Sequence, residues 1–138
     1  MERINILFVC RYNRFRSRVA EAYFNKINKN KNIKARSAGL IRGNPLNPKT
    51  VKLTKRLGLD ISGKPKGLSS KLMVWQNLTV IVADDVPEQV FDKNKRYGKK
   101  VIVWKIRDIE GSNIKGIKKT AILIIKKVDK LLKNWEVK

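Results

Sequence analysis

The 138-residue sequence contains no histidine and a single cysteine, Cys10. One cysteine excludes an intramolecular disulfide, and the lack of histidine removes the commonest metal ligand and the usual general base. The sequence therefore predicts no metal site and no cofactor. It also has no apolar run of 18 residues, the length typical of a membrane-spanning helix. We expect a cytoplasmic protein with no membrane partner.

Acidic residues are scarce as well. Only 11 Asp and Glu stand against 33 Lys and Arg, which gives a formal net charge of +22. Such a charge favours anionic substrates or polyanionic partners. However, the basic residues run through the whole chain, and no aromatic-rich basic segment of the kind that stacks nucleic-acid bases is found. The composition is compatible with weak, nonspecific polyanion binding, and it leaves the oligomeric state open.

Apolar strands alternate with amphipathic helices along the chain. This alternation predicts parallel βαβ units with right-handed crossovers. We therefore expect one α/β domain over residues 1–138, a three-layer sandwich with a four-stranded parallel sheet in the order 2-1-3-4 and helices on both faces. The predicted strands cover residues 3–9, 33–37, 78–83 and 100–104, and the predicted helices cover 17–30, 48–57, 69–75, 85–92 and a final helix with an apolar stripe from Ile117 to Trp135.

Two details of this pattern can be checked against a structure. Asp85 and Glu88 have the spacing of a capping box for the 85–92 helix, and residues 93–99 are expected to form a charged turn. In the predicted strand order, the carboxyl end of the first strand is the topological switch point, where open α/β sheets bind ligands.

The stretch from Cys10 to Ser17 lies at that switch point, between the first strand and the first helix. If the loop turns the N–H groups of residues 11–16 inward, they form an anion nest reinforced by the positive end of the helix. The same field, together with Arg16 and a hydrogen bond from Ser17, favours the thiolate of Cys10 as a nucleophile. Arg16 can hold two phosphoryl oxygens at once, which a lysine cannot. The predicted phosphate-binding residues are Arg11, Tyr12, Asn13, Arg14, Phe15 and Arg16.

This stretch resembles the active-site signature of the low-molecular-weight protein tyrosine phosphatases, which reads Cys, five residues, Arg, Ser. Further similarities follow in order at Asn13 and in segments 20–22, 37–39, 57–62 and 82–85, so nearly the whole chain is covered. The resemblance implies a metal-independent phosphomonoesterase, a protein tyrosine phosphatase that forms a phosphocysteine on Cys10. Its partner would be a phosphorylated protein or a small phosphate ester.

The resemblance also implies a general acid in the late loop, at residues 105–111. Asp108 occupies the matching place. A carboxylic acid there would protonate the leaving oxygen, and the resulting carboxylate would later activate water. The catalytic residues are then Cys10, Arg16, Ser17 and Asp108, with Glu110 as the alternative acid.

The sequence departs from the family pattern around the pocket. Tyr12 stands where the family usually has glycine, and Phe15 stands where it has a second cysteine. Arg14 adds positive charge, and Ile109 replaces the proline that follows the acid. Aromatic residues expected to wall the pocket are also missing. The reaction is therefore better predicted than the substrate.

Two alternatives stay open at this point. Related folds use the same loop for arsenate reduction, and with one cysteine this chain would need an external thiol to resolve the Cys10 adduct. The other alternative is a non-catalytic binder of phosphoproteins or nucleic acid that retains the anion nest. Its main support is the charge of +22.

Overall fold

The computed structural model describes residues 3–109 and 113–136. Its strands are β1 (Ile4–Cys10), β2 (Ile33–Gly39), β3 (Leu78–Val82) and β4 (Lys100–Trp104). They form one parallel sheet in the order β2-β1-β3-β4. The helices are α1 (Arg16–Ile27), α2 (Pro48–Arg56), α3 (Ser70–Trp75), α4 (Asp92–Arg96) and α5 (Ile114–Glu136). The predicted fold class and strand order are confirmed.

Side chains of β1 alternate between two apolar layers, because successive residues of a strand point to opposite faces of the sheet. Ile6 and Phe8 pack with α1, α2 and α5 on one face. Leu7 and Val9 pack on the other face with α3 and with Phe91, the last residue of a 3₁₀ helix. The sheet is thus covered on both sides, as its almost wholly apolar central strand requires.

The longest helix, α5, packs on the sheet through the predicted stripe. Ile117, Ala121, Ile124 and Val128 are all buried in the larger apolar layer. The side chain of Trp135, at the end of the predicted stripe, lies outside the described part of the structure. No helix in the described residues is both long and apolar enough to cross a lipid bilayer.

The prediction for residues 85–99 was wrong in its details. The chain forms a 3₁₀ helix from Glu88 to Phe91, preceded by Pro87 and without a side-chain cap, and then α4 over part of the expected turn. Proline disfavours the helical conformation for the residue before it, here Val86, and Pro87 itself is extended, so the helix starts after Pro87 and not at Asp85. The carboxylate of Asp85 lies 3.0 Å from Nη2 of Arg16.

Candidate active site

The loop between β1 and α1 lies at the predicted switch point. β1 ends at Cys10, which is paired with Gly39 of β2, and β3 lies on the other side of β1. α1 begins at Arg16, so residues 11–15 form a tight loop at the carboxyl edge of the sheet. The structure therefore places the predicted nucleophile where ligands of open α/β sheets bind.

The segment after β2 holds this loop from outside. The carbonyls of residues 10–12 accept hydrogen bonds from the N–H groups of Leu40, Ile41 and Gly43, at 2.9, 3.0 and 3.0 Å. In the described part of the chain, no backbone N–H of residues 11–16 donates to a protein acceptor. The N–H groups of this described loop are thus not occupied by protein acceptors, which is what the predicted anion nest requires.

Gly39 is required by the close approach of this loop to β2. A Cβ atom at Gly39 would lie 2.6 Å from the carbonyl carbon of Tyr12 and 2.7 Å from the nitrogen of Asn13. Both neighbours are backbone atoms, which cannot move aside as a flexible side chain can. A side chain at this position would therefore displace the loop between β1 and α1.

The buried Cys10 Sγ lies 3.0 Å from the Ser17 hydroxyl oxygen. That oxygen also accepts a hydrogen bond from the Asn13 amide nitrogen, at 2.8 Å. The Ser17 hydroxyl has one proton to donate. Its oxygen is the acceptor in the hydrogen bond from Asn13, so that bond does not use the proton. The Ser17 proton is thus available to donate to Cys10 Sγ.

Asn13 is the centre of this hydrogen-bond network. The side-chain oxygen of Asn13, Oδ1, accepts hydrogen bonds from the Lys66 backbone N–H at 2.9 Å and from Arg18 Nη1 at 3.2 Å. Because both partners are donors, the amide nitrogen must face the hydroxyls of Ser17 and Ser37. Asn13 is fully buried and has a positive φ of 55°, a conformation that asparagine adopts more easily than most residues.

The Arg16 guanidinium is 2% exposed and is held by two fixed partners. Nη1 donates to the Ile106 carbonyl at 3.0 Å, and Nη2 lies 3.0 Å from Asp85 Oδ1. Asp84 is farther away, with Oδ1 at 3.8 Å from Nη1. These contacts orient the planar group and leave Nε–H without a protein acceptor within hydrogen-bond distance in the described residues.

Asp108 lies across the pocket from the loop. Its Oδ1 is 3.8 Å from Arg16 Nε, and its side chain is 53% exposed. It lines the same cavity as Cys10, so the structure brings the predicted acid and the predicted nucleophile together. Glu110, the alternative acid, lies outside the described residues. Among those residues, no three His, Cys, Asp or Glu side chains are grouped so that they could hold a metal ion.

The cavity has a volume of about 200 Å³. Its size suits a phosphoryl group with one attached side chain better than a drug-sized ligand, for which pockets of roughly 300–1,000 Å³ are usual. It is lined by Cys10, Tyr12, Arg14, Phe15, Arg16, Asn47, Thr50, Asp108, Ile109 and Ile117. The wall is therefore cationic at the loop and aliphatic toward α5.

Besides Asn13 and Arg16, three more of the predicted phosphate-binding residues have side-chain partners in the protein: Arg11, Tyr12 and Arg14. Arg14 donates to the carbonyls of Asn44 and Pro45, each at 3.1 Å, and so ties the next loop to the pocket. The Arg11 Nε donates to the Tyr12 hydroxyl at 3.1 Å. Neither Arg11 nor Asn13 lines the cavity. If these two residues bind phosphate, they do so through their backbone N–H groups, and this stays a prediction.

Arg18 is a structural member of the site that sequence reasoning missed. This buried side chain donates to the carbonyls of Ile61, Ser62 and Lys64 as well as to Asn13. Burial lowers the pKa of Arg18, and the negative charge of Glu21 opposes that shift. Arg18 connects residues 61–64 to Asn13 in the loop between β1 and α1, and no sequence motif of that loop indicates these partners.

Known proteins with a similar sequence or fold point to the same kind of site. A family model described as "Low molecular weight phosphotyrosine protein phosphatase" matches residues 5–116. No curated protein sequence matches significantly.

Three solved structures illustrate the range of similar proteins. The low molecular weight protein tyrosine phosphatase from T. tengcongensis is 28% identical, with a TM-score of 0.80 over 95% of this chain and 99% of that one. An arsenate reductase from Archaeoglobus fulgidus is 27% identical, with a TM-score of 0.70 over 91% and 97%. The arginine phosphatase YwlE from Geobacillus stearothermophilus shares the fold at 19% identity, with a TM-score of 0.81 over 97% and 94%.

Proposed function

Because the chain belongs to the low molecular weight phosphotyrosine protein phosphatase family, we propose that it is a metal-independent phosphomonoesterase acting through a phosphocysteine on Cys10. Its substrate class is a phosphorylated protein or a small phosphate ester. The observation that carries the proposal is the position of Cys10 Sγ in one cavity with Arg16 and Asp108, 3.0 Å from the Ser17 hydroxyl.

In the first step, the thiolate of Cys10 attacks phosphorus while the bond from phosphorus to the leaving oxygen breaks. The N–H groups of the loop and the Arg16 guanidinium stabilise the charge on the equatorial oxygens. Asp108, as a carboxylic acid, gives its proton to the leaving oxygen, so that an alcohol or phenol departs.

In the second step, water attacks the phosphocysteine. The carboxylate of Asp108 takes a proton from that water, the bond from sulfur to phosphorus breaks, and inorganic phosphate leaves. The Ser17 hydroxyl, oriented by Asn13, stabilises the Cys10 thiolate as the leaving group. The side chain of Asp108 is more than half exposed, which lets it exchange protons and meet water between the two steps.

Replacing Cys10 with serine tests this proposal. We expect the variant to lose hydrolysis of para-nitrophenyl phosphate without added metal, while it still binds inorganic phosphate through the loop and Arg16. Turnover at the wild-type rate in this variant would contradict the mechanism.

A substrate panel separates the phosphatase activities. Phosphotyrosine, phosphoserine and phosphoarginine should be offered to the wild-type protein and to the Cys10→Ser variant under the same conditions. The phosphoarginine arm is included because YwlE, which shares the fold, is described as an arginine phosphatase. In the cavity wall, Ile109 and Ile117 supply aliphatic contacts for the leaving side chain, and Tyr12 supplies a ring.

Arsenate reduction is the second candidate, supported by the 27% identity to the arsenate reductase from Archaeoglobus fulgidus. Cys10 would attack arsenate and release water, and an external thiol would then attack the Cys10 sulfur. The bond between sulfur and arsenic breaks and its electron pair stays on arsenic, which leaves as arsenite. A second external thiol then reduces the mixed disulfide and releases Cys10. Arsenite release with glutathione or a glutaredoxin as the thiol source tests this activity, and no release with either rejects it.

A further inference from the structure

A second depression lies beside the catalytic cavity, between α2 and the start of α5. Its volume is about 380 Å³, and it shares Asn47 and Ile117 with the catalytic cavity, so the two are adjacent. We call it the α2–α5 groove. Its remaining lining residues are Lys49, Lys52, Leu53, Arg56 and Ile114.

The α2 side of the groove is cationic. Lys49, Lys52 and Arg56 are exposed and recur at intervals of three and four residues, which places them on one face of the helix. α2 contains no acidic residue, and in the described residues none of the three cations forms an ion pair. Their charges are therefore directed at solvent or at a bound anion.

The other surfaces of the groove are aliphatic. Leu53 and Ile117 are buried, whereas Ile114 is 60% exposed at the start of α5. No aromatic ring lines the groove. Single-stranded nucleic acid is usually held by aromatic stacking along a basic groove, so this lining does not favour it. Cations beside aliphatic side chains are complementary to a polypeptide that carries both acidic and apolar residues.

We propose that the α2–α5 groove binds the acidic, partly aliphatic segment of a protein substrate next to its phosphorylated residue. This inference rests on the proposed function, because the phosphoryl group in the catalytic cavity is what delivers the flanking segment to the groove. Lys49 and Arg56 are seven residues apart, about 10 Å along the helix. An extended polypeptide spans that distance with roughly three residues. The cationic side of the groove therefore accommodates about three residues of an extended segment that flanks the phosphorylated residue.

The test compares two phosphotyrosine peptides that differ only in their flanks. One carries glutamate and leucine around the phosphotyrosine, and the other carries glutamine and leucine. The variant is Lys49→Gln/Lys52→Gln/Arg56→Gln. A matched control is Lys29→Gln/Lys31→Gln/Lys34→Gln. It removes three charges from exposed positions near the start of β2, at the amino end of the parallel strands, whereas Cys10 lies at their carboxyl end.

We expect the wild type and the control to prefer the glutamate peptide in kcat/KM by on the order of tenfold, the value for a few exposed ion pairs. The α2 variant should lose that preference and retain its turnover of para-nitrophenyl phosphate, which is too small to reach the groove. An equal loss in the control would show that the net charge, and not the groove, attracts the peptide, and so would overturn the inference.

Binding is measured separately in a Cys10→Ser background, by fluorescence anisotropy of the labelled peptides. A failure of the proposed function abolishes turnover in the wild type but leaves this binding preference measurable. The inference is wrong if the glutamate peptide binds no better than the glutamine peptide. It is also wrong if a single-stranded oligonucleotide binds and the α2 variant weakens only that interaction.

Discussion

Replacing Asn13 with aspartate separates its structural role from its role toward the nucleophile. The side-chain oxygen of Asn13 accepts hydrogen bonds from the Lys66 backbone N–H and from Arg18, at 2.9 and 3.2 Å. Its amide nitrogen donates to the hydroxyls of Ser17 and Ser37, at 2.8 and 3.0 Å. Aspartate has the same shape and accepts the first two hydrogen bonds, but as a carboxylate it cannot donate the other two. We therefore expect Asn13→Asp to fold and to lose activity.

The expected fall in kcat/KM can be estimated from the hydrogen bond that the Ser17 hydroxyl no longer donates to Cys10. In the variant a carboxylate oxygen faces this hydroxyl, so its proton turns toward the carboxylate and away from Cys10. A hydrogen bond to a charged group contributes about 1.5–3 kcal/mol. At about 1.36 kcal/mol for each factor of ten, kcat/KM should fall by about 10- to 150-fold. Repulsion between the new carboxylate and the thiolate acts in the same direction.

Asn13→Ala is the complementary change. It removes all four hydrogen bonds and leaves the Lys66 N–H without its acceptor, which costs about 1–3 kcal/mol for a buried donor. The positive φ of 55° adds about 1–2 kcal/mol for a residue that avoids this conformation. The free energy of unfolding should therefore fall by about 2–5 kcal/mol.

Urea unfolding and para-nitrophenyl phosphate kinetics, measured on the same preparations, check both parts of this prediction. Asn13→Asp should stay folded in the absence of urea and show a much lower kcat/KM, and Asn13→Ala should unfold at a clearly lower urea concentration than the wild type. If Asn13→Asp hydrolyses the substrate at the wild-type rate, the orientation of Ser17 by Asn13 has no catalytic role and the reasoning is refuted.

Three further predictions concern other parts of the molecule. Arg16→Lys should lower kcat by about 100-fold or more, because an ammonium cannot bind two phosphoryl oxygens in the plane of the guanidinium; steady-state kinetics check this. Asp108→Ala should lower kcat/KM more for alkyl phosphates than for para-nitrophenyl phosphate, and equal losses would assign the acid elsewhere. Tyr23→Phe should lower the free energy of unfolding by about 0.5–1 kcal/mol. The hydrogen bond to Asp129 raises the pKa of Tyr23 from 10.0 to about 12, so this contribution is present below pH 10 and is lost as the pH rises through about 12. Urea unfolding on both sides of that range measures it.

Much of the fold could be predicted because it depends on local patterns. The apolar residues of β1 and the stripe from Ile117 to Val128 are signals that strands and helices require by themselves. Right-handed crossovers between parallel strands restrict the topology, and the order 2-1-3-4 places helices on both faces of the sheet. The position of Cys10 at the switch point then needs no further information.

The partners of the catalytic loop could not be predicted in the same way. Arg18 binds carbonyls of residues 61–64, more than 40 positions away, and backbone carbonyls have no sequence signature. Asp85 matched a local capping pattern, but its carboxylate pairs with Arg16 across the sheet edge. Long-range polar contacts of this kind depend on how the loops pack, which residue spacing does not specify.

The central claim is that Cys10 carries the phosphoryl group during turnover. Rapid acid quenching of the protein with para-nitrophenyl phosphate, followed by mass spectrometry of its peptides, tests this claim directly. Asp108→Asn is the suitable background, because its amide cannot take a proton from water and the intermediate should accumulate. We predict one added phosphoryl group on the peptide that contains Cys10. Continued turnover with no phosphorylated Cys10 peptide at any quench time would contradict the account.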